Sequence, residues 1–101
     1  MVSNKQDVYT LLLNNKTRLQ KLGIIRLGLF GSFINNQQTN NSDIDLLVEF
    51  DKNKKTFRNF IDTADFAEQL LGRNVDLVTT ESLSPYIGPH IIKEVQYVQI
   101  A

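Results

Sequence analysis

The sequence predicts a small α/β or α+β fold in which helices cover a β-sheet, and three observations lead to this prediction. Apolar residues recur at helical spacing in several segments. Short β-branched apolar runs stand between those segments, and glycines mark the junctions. The chain has 101 residues, 42% of them apolar and 22% charged. It is therefore expected to form one domain, residues 1–101, with an ordinary core.

Composition excludes several classes of function. Eleven basic residues balance eleven acidic ones, so no direct binding of nucleic acid or of an anionic membrane is expected. The chain contains no cysteine, which excludes disulfides and thiolate metal sites. No apolar run approaches the roughly 20 residues of a membrane span, and "MVSNKQDVYT" lacks the apolar centre of a signal peptide. We expect a cytoplasmic protein.

The first third of the chain predicts a helix and then a strand. Ser3 is suited to cap the helix and Gly23 to end it. Between them, the apolar residues at helical spacing are Val8, Leu11, Leu12, Leu19 and Leu22. The apolar, partly β-branched run Ile24 to Phe30 is typical of a strand.

The middle of the chain predicts a loop between two strands. Gly31-Ser32 ends the first strand and is expected to open a short helix. Residues 35–41 are almost entirely asparagine and glutamine, and we expect a surface loop there because core segments bound them. A second strand is predicted from Asp43 to Phe50, closed by the turn sequence "DKNKK".

The last part predicts two more helices around a third strand. Apolar residues at offsets of three and four predict a helix ending at Gly72: Phe57, Phe60, Ile61, Ala64, Ala67 and Leu71. A strand follows at residues 74–79, "NVDLVT". Gly88-Pro89 is suited to a helix start, and that helix is expected to bury Ile91, Ile92 and Val95. The closing "VQYVQI" fits a helix tail or a short strand equally well.

Alternation along the second strand places two acids together. Side chains of a strand point alternately to opposite faces, so Asp43 and Asp45 share a face with Leu47 and Glu49. The opposite face is wholly apolar and is expected to be buried: Ile44, Leu46, Val48 and Phe50. Asp76 occupies an equivalent position in the third strand. If these strands are neighbours, three carboxylates converge.

Three converging carboxylates require either protonation or a cation. Two like charges about 4 Å apart repel by roughly 4 kcal/mol at an effective dielectric constant near 20. Mg²⁺ suits a few carboxylates together with water and substrate phosphates. The alternatives are a solvated pair at a strand edge and the D-x-D of a glycosyltransferase, whose domains are generally larger. An EF-hand is excluded because Leu47 and Val48 stand where such a loop needs Asp or Asn and then Gly.

Gly31-Ser32 is a candidate phosphate site. Glycine allows close approach of a ligand to the backbone, and N–H groups at a helix start favour anions. The Ser32 hydroxyl would add a donor. The dipeptide alone is common in turns, so its value comes from its place before Asp43, Asp45 and Asp76.

In this combination the sequence resembles the minimal nucleotidyltransferase (MNT) domains of the DNA polymerase beta superfamily. The matching segments are "LFGSF", "SDIDLLVEF", "LLGRNVDLVT" and "LSPYIGPHIIKEVQYV". The resemblance implies a mixed β-sheet of three or more strands flanked by helices. It also implies transfer of a nucleoside monophosphate, usually AMP from ATP, to a hydroxyl. Many stand-alone members are antitoxins that neutralise a HEPN-domain ribonuclease toxin by adding AMP to a toxin tyrosine, by binding it, or both.

The resemblance also implies roles for five residues. Gly31 and Ser32 would bind the nucleotide, and Asp43, Asp45 and Asp76 would be both catalytic and metal-binding. Two Mg²⁺ ions are expected. Asp43 and Asp45 would hold the ion that carries the triphosphate and bridge to the second, whose site Asp76 would complete while it helps to deprotonate the acceptor.

One departure bears on catalysis. Many MNT relatives carry a small residue, then Arg or Lys, then Gly shortly after Gly-Ser, whereas this chain has Ile34-Asn35-Asn36. Weaker phosphate binding or partner contact is therefore expected. Five other cations are candidates to replace the missing one, although each also fits a solvated surface charge: Arg26, Lys52, Lys54, Lys55 and Arg58.

Two further functional hypotheses remain open at this point. The first is an antitoxin that only binds its toxin and has a vestigial catalytic site. The second is a nucleotidyltransferase for small molecules. Such enzymes usually carry an additional helical domain, so here another protein or a second subunit would have to supply the acceptor. His90 is expected to be a surface residue and Glu49 a charge at the rim of the site.

Overall fold

The computed structural model describes all 101 residues as four helices and four strands. The helices are α1 (Lys5–Asn14), α2 (Lys16–Lys21), α3 (Phe57–Leu71) and α4 (Gly88–Glu94). The strands are β1 (Ile24–Phe30), β2 (Ile44–Phe50), β3 (Val75–Thr79) and β4 (Gln96–Gln99). Single 3-10 turns lie at Gly31–Phe33, Lys52–Lys54 and Thr80–Ser82.

The strands form one mixed sheet in the order β3-β2-β1-β4. β1 is antiparallel to both β2 and β4, whereas β2 and β3 are parallel and are connected through α3. The predicted mixed sheet flanked by helices is therefore confirmed, and so is the expectation that the two strands bearing the acids are neighbours.

The core lies on one face of this sheet. Ile44, Leu46 and Val48 are at most 1% exposed and belong to a cluster of 17 buried residues that also includes side chains from α1, α2 and α3. The predicted apolar face of β2 is thereby confirmed. Leu47, on the opposite face between Asp45 and Glu49, is also buried, at 1% exposure.

The prediction of a single N-terminal helix is wrong, because the structure has two helices, α1 and α2, separated at Asn15. The Asn15 side-chain amide donates to the carbonyl of Leu11 (2.8 Å). The predicted cap at Ser3 is also wrong. Asn4 is the cap, and its side chain accepts from the N–H of Asp7 at 2.9 Å, while Ser3 donates to the Asp7 carboxylate.

The predicted boundaries of α3 are confirmed, but part of its predicted buried face is wrong. Thr56 caps the helix, and Gly72 ends it in the left-handed conformation (φ 70°). The fully buried side chains are Thr63, Ala67 and Leu71. Phe57 is 81% exposed and Ile61 38% exposed, whereas Phe60 packs against the core.

The C-terminal segment is a strand. β4 pairs with β1 through Leu27 and Val98, and Val98 belongs to the core cluster. α4 begins at Gly88 as predicted, but Ile92 is 47% exposed, so its predicted burial is wrong. No helix of the chain combines the length and the apolar character that crossing a membrane demands.

Candidate active site

The candidate site forms where several strand ends meet at one end of the sheet. In the register of the sheet, Asp45 of β2 lies between Phe30, at the end of β1, and Asp76, near the start of β3. Asp43 immediately precedes β2. The side chain of Asp45 is half-buried, and those of Asp43 and Asp76 are exposed.

The negative charge of this site is concentrated around Asp45. Burial raises the pKa of the Asp45 carboxyl to about 6, and the neighbouring charges of Asp76, Asp43 and Glu94 act in the same direction. At neutral pH the Asp45 carboxylate is ionised, although burial and the neighbouring acids destabilise its charged form. A bound cation would stabilise that form.

No group of three or more His, Asp or Glu side chains is arranged to enclose a metal ion. The carboxylates of this site still suit Mg²⁺, because Mg²⁺ binds proteins through one or two carboxylates and takes its other ligands from water and substrate phosphates. Asp45 and Asp76 are paired in register on adjacent parallel strands, and Asp43 is near enough to affect the charge of Asp45. The donor set therefore fits a magnesium site that the nucleotide completes.

Gly31 brings the backbone against this carboxylate. It has a φ of 75°, and a Cβ atom built there would collide with Oδ2 of Asp45. Gly31 also opens the 3-10 turn Gly31–Phe33, which the fully buried ring of Phe33 anchors in the core. Ser32 lies between these two fixed residues and is partly exposed. The sequence predicted a short helix here, and a single 3-10 turn confirms it.

Glu94 belongs to the same site, and the sequence analysis missed it. The backbone N–H of Gly31 donates to Oε1 of Glu94 (3.1 Å), and the side-chain amide of Asn35 donates to Oε2 (3.4 Å). Glu94 is the last residue of α4 and stands just before β4. Only the assignment of "VQYVQI" as a strand beside β1 would have brought it to the Gly31–Ser32 turn.

The amide-rich segment forms a loop, as predicted, and its end is held by Arg73. The guanidinium donates to the carbonyls of Val2 (2.8 Å), Thr39 (2.9 Å) and Ser42 (3.0 Å). It thereby fixes the backbone that leads directly into Asp43.

Three of the five candidate cations do not replace the Arg or Lys that is absent after Gly31-Ser32, because each pairs with an acid elsewhere. Arg26 pairs with Glu49 (3.0 Å), Lys55 with Glu81 (2.8 Å) and Arg58 with Asp62 (3.4 Å). Glu49, which was expected to be a rim charge, is partly exposed and pairs with Arg26. His90 is exposed on α4, as expected.

The sequence and its fold are similar to those of known nucleotidyltransferases. The family model described as "Nucleotidyltransferase domain" matches residues 13–98. Protein adenylyltransferase MntA of Thermococcus cleftensis is 33% identical over 94 residues, which cover 92% of this chain and 94% of that protein.

Solved structures show the same fold. The solved structure of a protein assigned as a minimal nucleotidyltransferase superposes with a TM-score of 0.70 at 26% identity, covering 87% of this chain and 93% of that chain. A chain of a toxin-antitoxin complex with AMP-PNP superposes with a TM-score of 0.62 at 25% identity, covering 82% of this chain and 71% of that chain. A chain from the complex of a tri-AMPylated Shewanella oneidensis HEPN toxin with an MNT antitoxin shares the fold. Its TM-score is 0.55 at 21% identity, and the match covers 84% of this chain and 69% of that chain. The chain belongs to the nucleotidyltransferase domain family and is an enzyme of that class.

Proposed function

We propose that this chain, as a single minimal nucleotidyltransferase domain, transfers AMP from ATP to a tyrosine hydroxyl of a HEPN ribonuclease toxin and thereby acts as its antitoxin. The observation that carries the proposal is the register of Asp45 between the Gly31 turn and Asp76. Support comes from the similarity to a protein adenylyltransferase and to a toxin-antitoxin complex that holds an ATP analogue. The cytoplasm, which supplies ATP and Mg²⁺, is the proposed location.

Asp43, Asp45 and Asp76 would hold two Mg²⁺ ions. Magnesium in such a site neutralises the charge on the phosphates and on the attacking and leaving oxygens. The raised pKa of Asp45 supports this assignment, since a carboxylate disfavoured by its neighbours gains most from a nearby cation.

The reaction replaces the phosphoanhydride bond between the α- and β-phosphates of ATP with a phosphate ester bond to the acceptor. The hydroxyl oxygen of the acceptor bonds to the α-phosphorus of ATP, and the bond from that phosphorus to the pyrophosphate oxygen breaks. Pyrophosphate leaves, and the carboxylate of Asp76 helps to take the hydroxyl proton. The backbone around Gly31 and the Ser32 hydroxyl would hold the terminal phosphates, because positioning is the main requirement of phosphoryl transfer.

A protein acceptor also suits the surface beside the site. Tyr86, Ile87 and Ile92 are 85%, 60% and 47% exposed, and all three lie in the segment that leads to Glu94. Exposed apolar side chains that lie this close in the chain offer apolar surface for contact with another protein.

The direct test supplies the protein with Mg²⁺, ATP labelled on its α-phosphate and the purified HEPN toxin encoded beside its gene. We expect label on the toxin, and no label when the acceptor tyrosine is replaced by phenylalanine. A wild-type protein that binds the toxin and leaves it unlabelled at saturating ATP would contradict the proposal.

An antitoxin that acts by binding alone is the second candidate. Two observations favour it: Asn35 stands where many relatives carry a cation, and the N–H of Gly31 is already occupied by Glu94. The double variant Asp43→Ala/Asp45→Ala separates the two functions. Neutralisation of the toxin that survives in this variant without label would support binding alone.

A further inference from the structure

We propose that Glu94 is a positioning residue for nucleotide binding, a role that rests on the proposed function above. Its carboxylate joins two parts of the turn that follows β1, through Gly31 on one oxygen and Asn35 on the other. The turn that would meet the phosphates is thereby fixed before the nucleotide arrives.

The first contact fixes one peptide group. The N–H that Glu94 accepts belongs to the peptide bond between Phe30 and Gly31, directly before Ser32. Gly31 has a positive φ of 75° and no side chain, so its own conformational preference would leave the turn loosely defined. A hydrogen bond to a charged acceptor is stronger than one between neutral groups, and this one selects a single arrangement of the turn.

The second contact fixes the far end of the same turn. Asn35 follows the 3-10 turn, and its side-chain amide donates to Oε2 of Glu94 at 3.4 Å. The backbone N–H of Asn35 in turn donates to the carbonyl of Gly31 (3.1 Å). Glu94 thus closes a small ring of contacts around Ser32.

Glu94 can do this because its own backbone is held by the sheet. The next residue, Val95, packs against Gly28 so closely that a Cβ atom on Gly28 would collide with it. Gln96 then pairs with Leu29 of β1. The carboxylate is therefore held by the strand that pairs with β1, whose end it organises, and this arrangement favours a preorganised site.

The opposite role would follow if the carboxylate occupied the place of a phosphate. Glu94 would then compete with the nucleotide for the N–H of Gly31, and its removal would tighten binding. The two roles thus predict changes of opposite sign in the dissociation constant.

The experiment measures binding of Mg²⁺ and AMP-PNP by calorimetry, so that no acceptor is needed. We expect Glu94→Ala to weaken binding about tenfold, since both contacts are lost. Glu94→Gln keeps an oxygen that can accept from Gly31 but loses the charge, so its affinity should fall between those of the wild type and Glu94→Ala. The matched control is Glu49→Gln. It removes a carboxylate of β2 that pairs with Arg26, and it should leave binding of Mg²⁺ and AMP-PNP unchanged.

Several results would overturn the inference. Tighter binding by Glu94→Ala and Glu94→Gln would show competition with phosphate. Unchanged binding by Glu94→Ala with a lower melting temperature would show a role in folding alone. Absence of binding by the wild-type protein would overturn the proposed function as well. If Glu94→Ala does not fold, Glu94→Asp, whose shorter side chain retracts the carboxylate, should show a similar loss of affinity.

Discussion

At the scale of single residues, the site depends on a carboxylate that its surroundings disfavour. Asp45 is half-buried beside three other acids, and its side chain touches the backbone of Gly31. Strand alternation predicted Asp43 and Asp45 on one face because a period of two requires no tertiary information, whereas the place of Asp76 beside them depends on the pairing of β2 with β3. It could not predict Glu94, because the position of Glu94 depends on the pairing of Gln96 with Leu29, and these two residues lie far apart in the chain.

The first prediction concerns the pH dependence of stability in the absence of metal. Because the pKa of Asp45 is raised from 3.8 to about 6, the native state binds more protons than the unfolded state between these values. The free energy of unfolding therefore falls as pH rises through this window. Asp45→Asn should remove the effect and stabilise the metal-free protein at pH 7 by about 1 kcal/mol, after a discount for solvent exposure.

Urea denaturation in EDTA at pH 4 and pH 7 checks this prediction. The two proteins should have similar free energies of unfolding at pH 4 and should diverge at pH 7. Asp43→Asn is the control, and its exposed side chain should give a smaller change. An Asp45→Asn variant less stable than wild type at pH 7 would mean that the carboxylate supports the fold.

The second prediction concerns Asn36, which has a φ of 56°. Asparagine tolerates the left-handed conformation better than other residues with a Cβ atom. Asn36→Ala should lower the free energy of unfolding by about 1 kcal/mol, and Asn36→Gly should change it little. Equal stability of all three proteins in chemical denaturation would contradict this account.

At the scale of elements, regular patterns were predicted well and interruptions were not. The bounds of β1 and α3 match the prediction, because β1 is an apolar, partly β-branched run, α3 has a clear helical period, and a glycine follows each of them. The break at Asn15 depends on one side-chain hydrogen bond, which spacing does not reveal. Phe57 and Ile92 are exposed, and a helical period alone cannot show which apolar residues of a helix are covered by the rest of the fold.

The third prediction compares two apolar residues of α3. Leu71 is fully buried, and Phe57 is 81% exposed. Leu71→Ala should lower the free energy of unfolding by about 2–5 kcal/mol, because it leaves a cavity in the core. Phe57→Ala should change it by less than about 0.5 kcal/mol. Denaturation of both variants under the same conditions checks the difference, and similar losses from the two would show that the helix packs through another face.

At the scale of the whole molecule, the order of the strands creates the site. Parallel pairing of β2 and β3 brings Asp45 beside Asp76, and antiparallel pairing of β1 with β2 brings the Gly31 turn to the same end. The family resemblance implied this arrangement. The residues alone left it conditional, because nothing local in a strand specifies its neighbour.

The most direct measurement is the rate of AMP transfer by Asp76→Asn to the HEPN toxin, at saturating Mg²⁺ and ATP. We predict a loss of at least about a hundredfold, because the proposed function assigns this carboxylate to metal binding and to the acceptor's proton. A control variant, Asp62→Asn, alters an acid that is paired with Arg58 on α3 and should keep the wild-type rate. If Asp76→Asn transferred AMP at the wild-type rate, the assignment of this carboxylate to the catalytic site would be wrong.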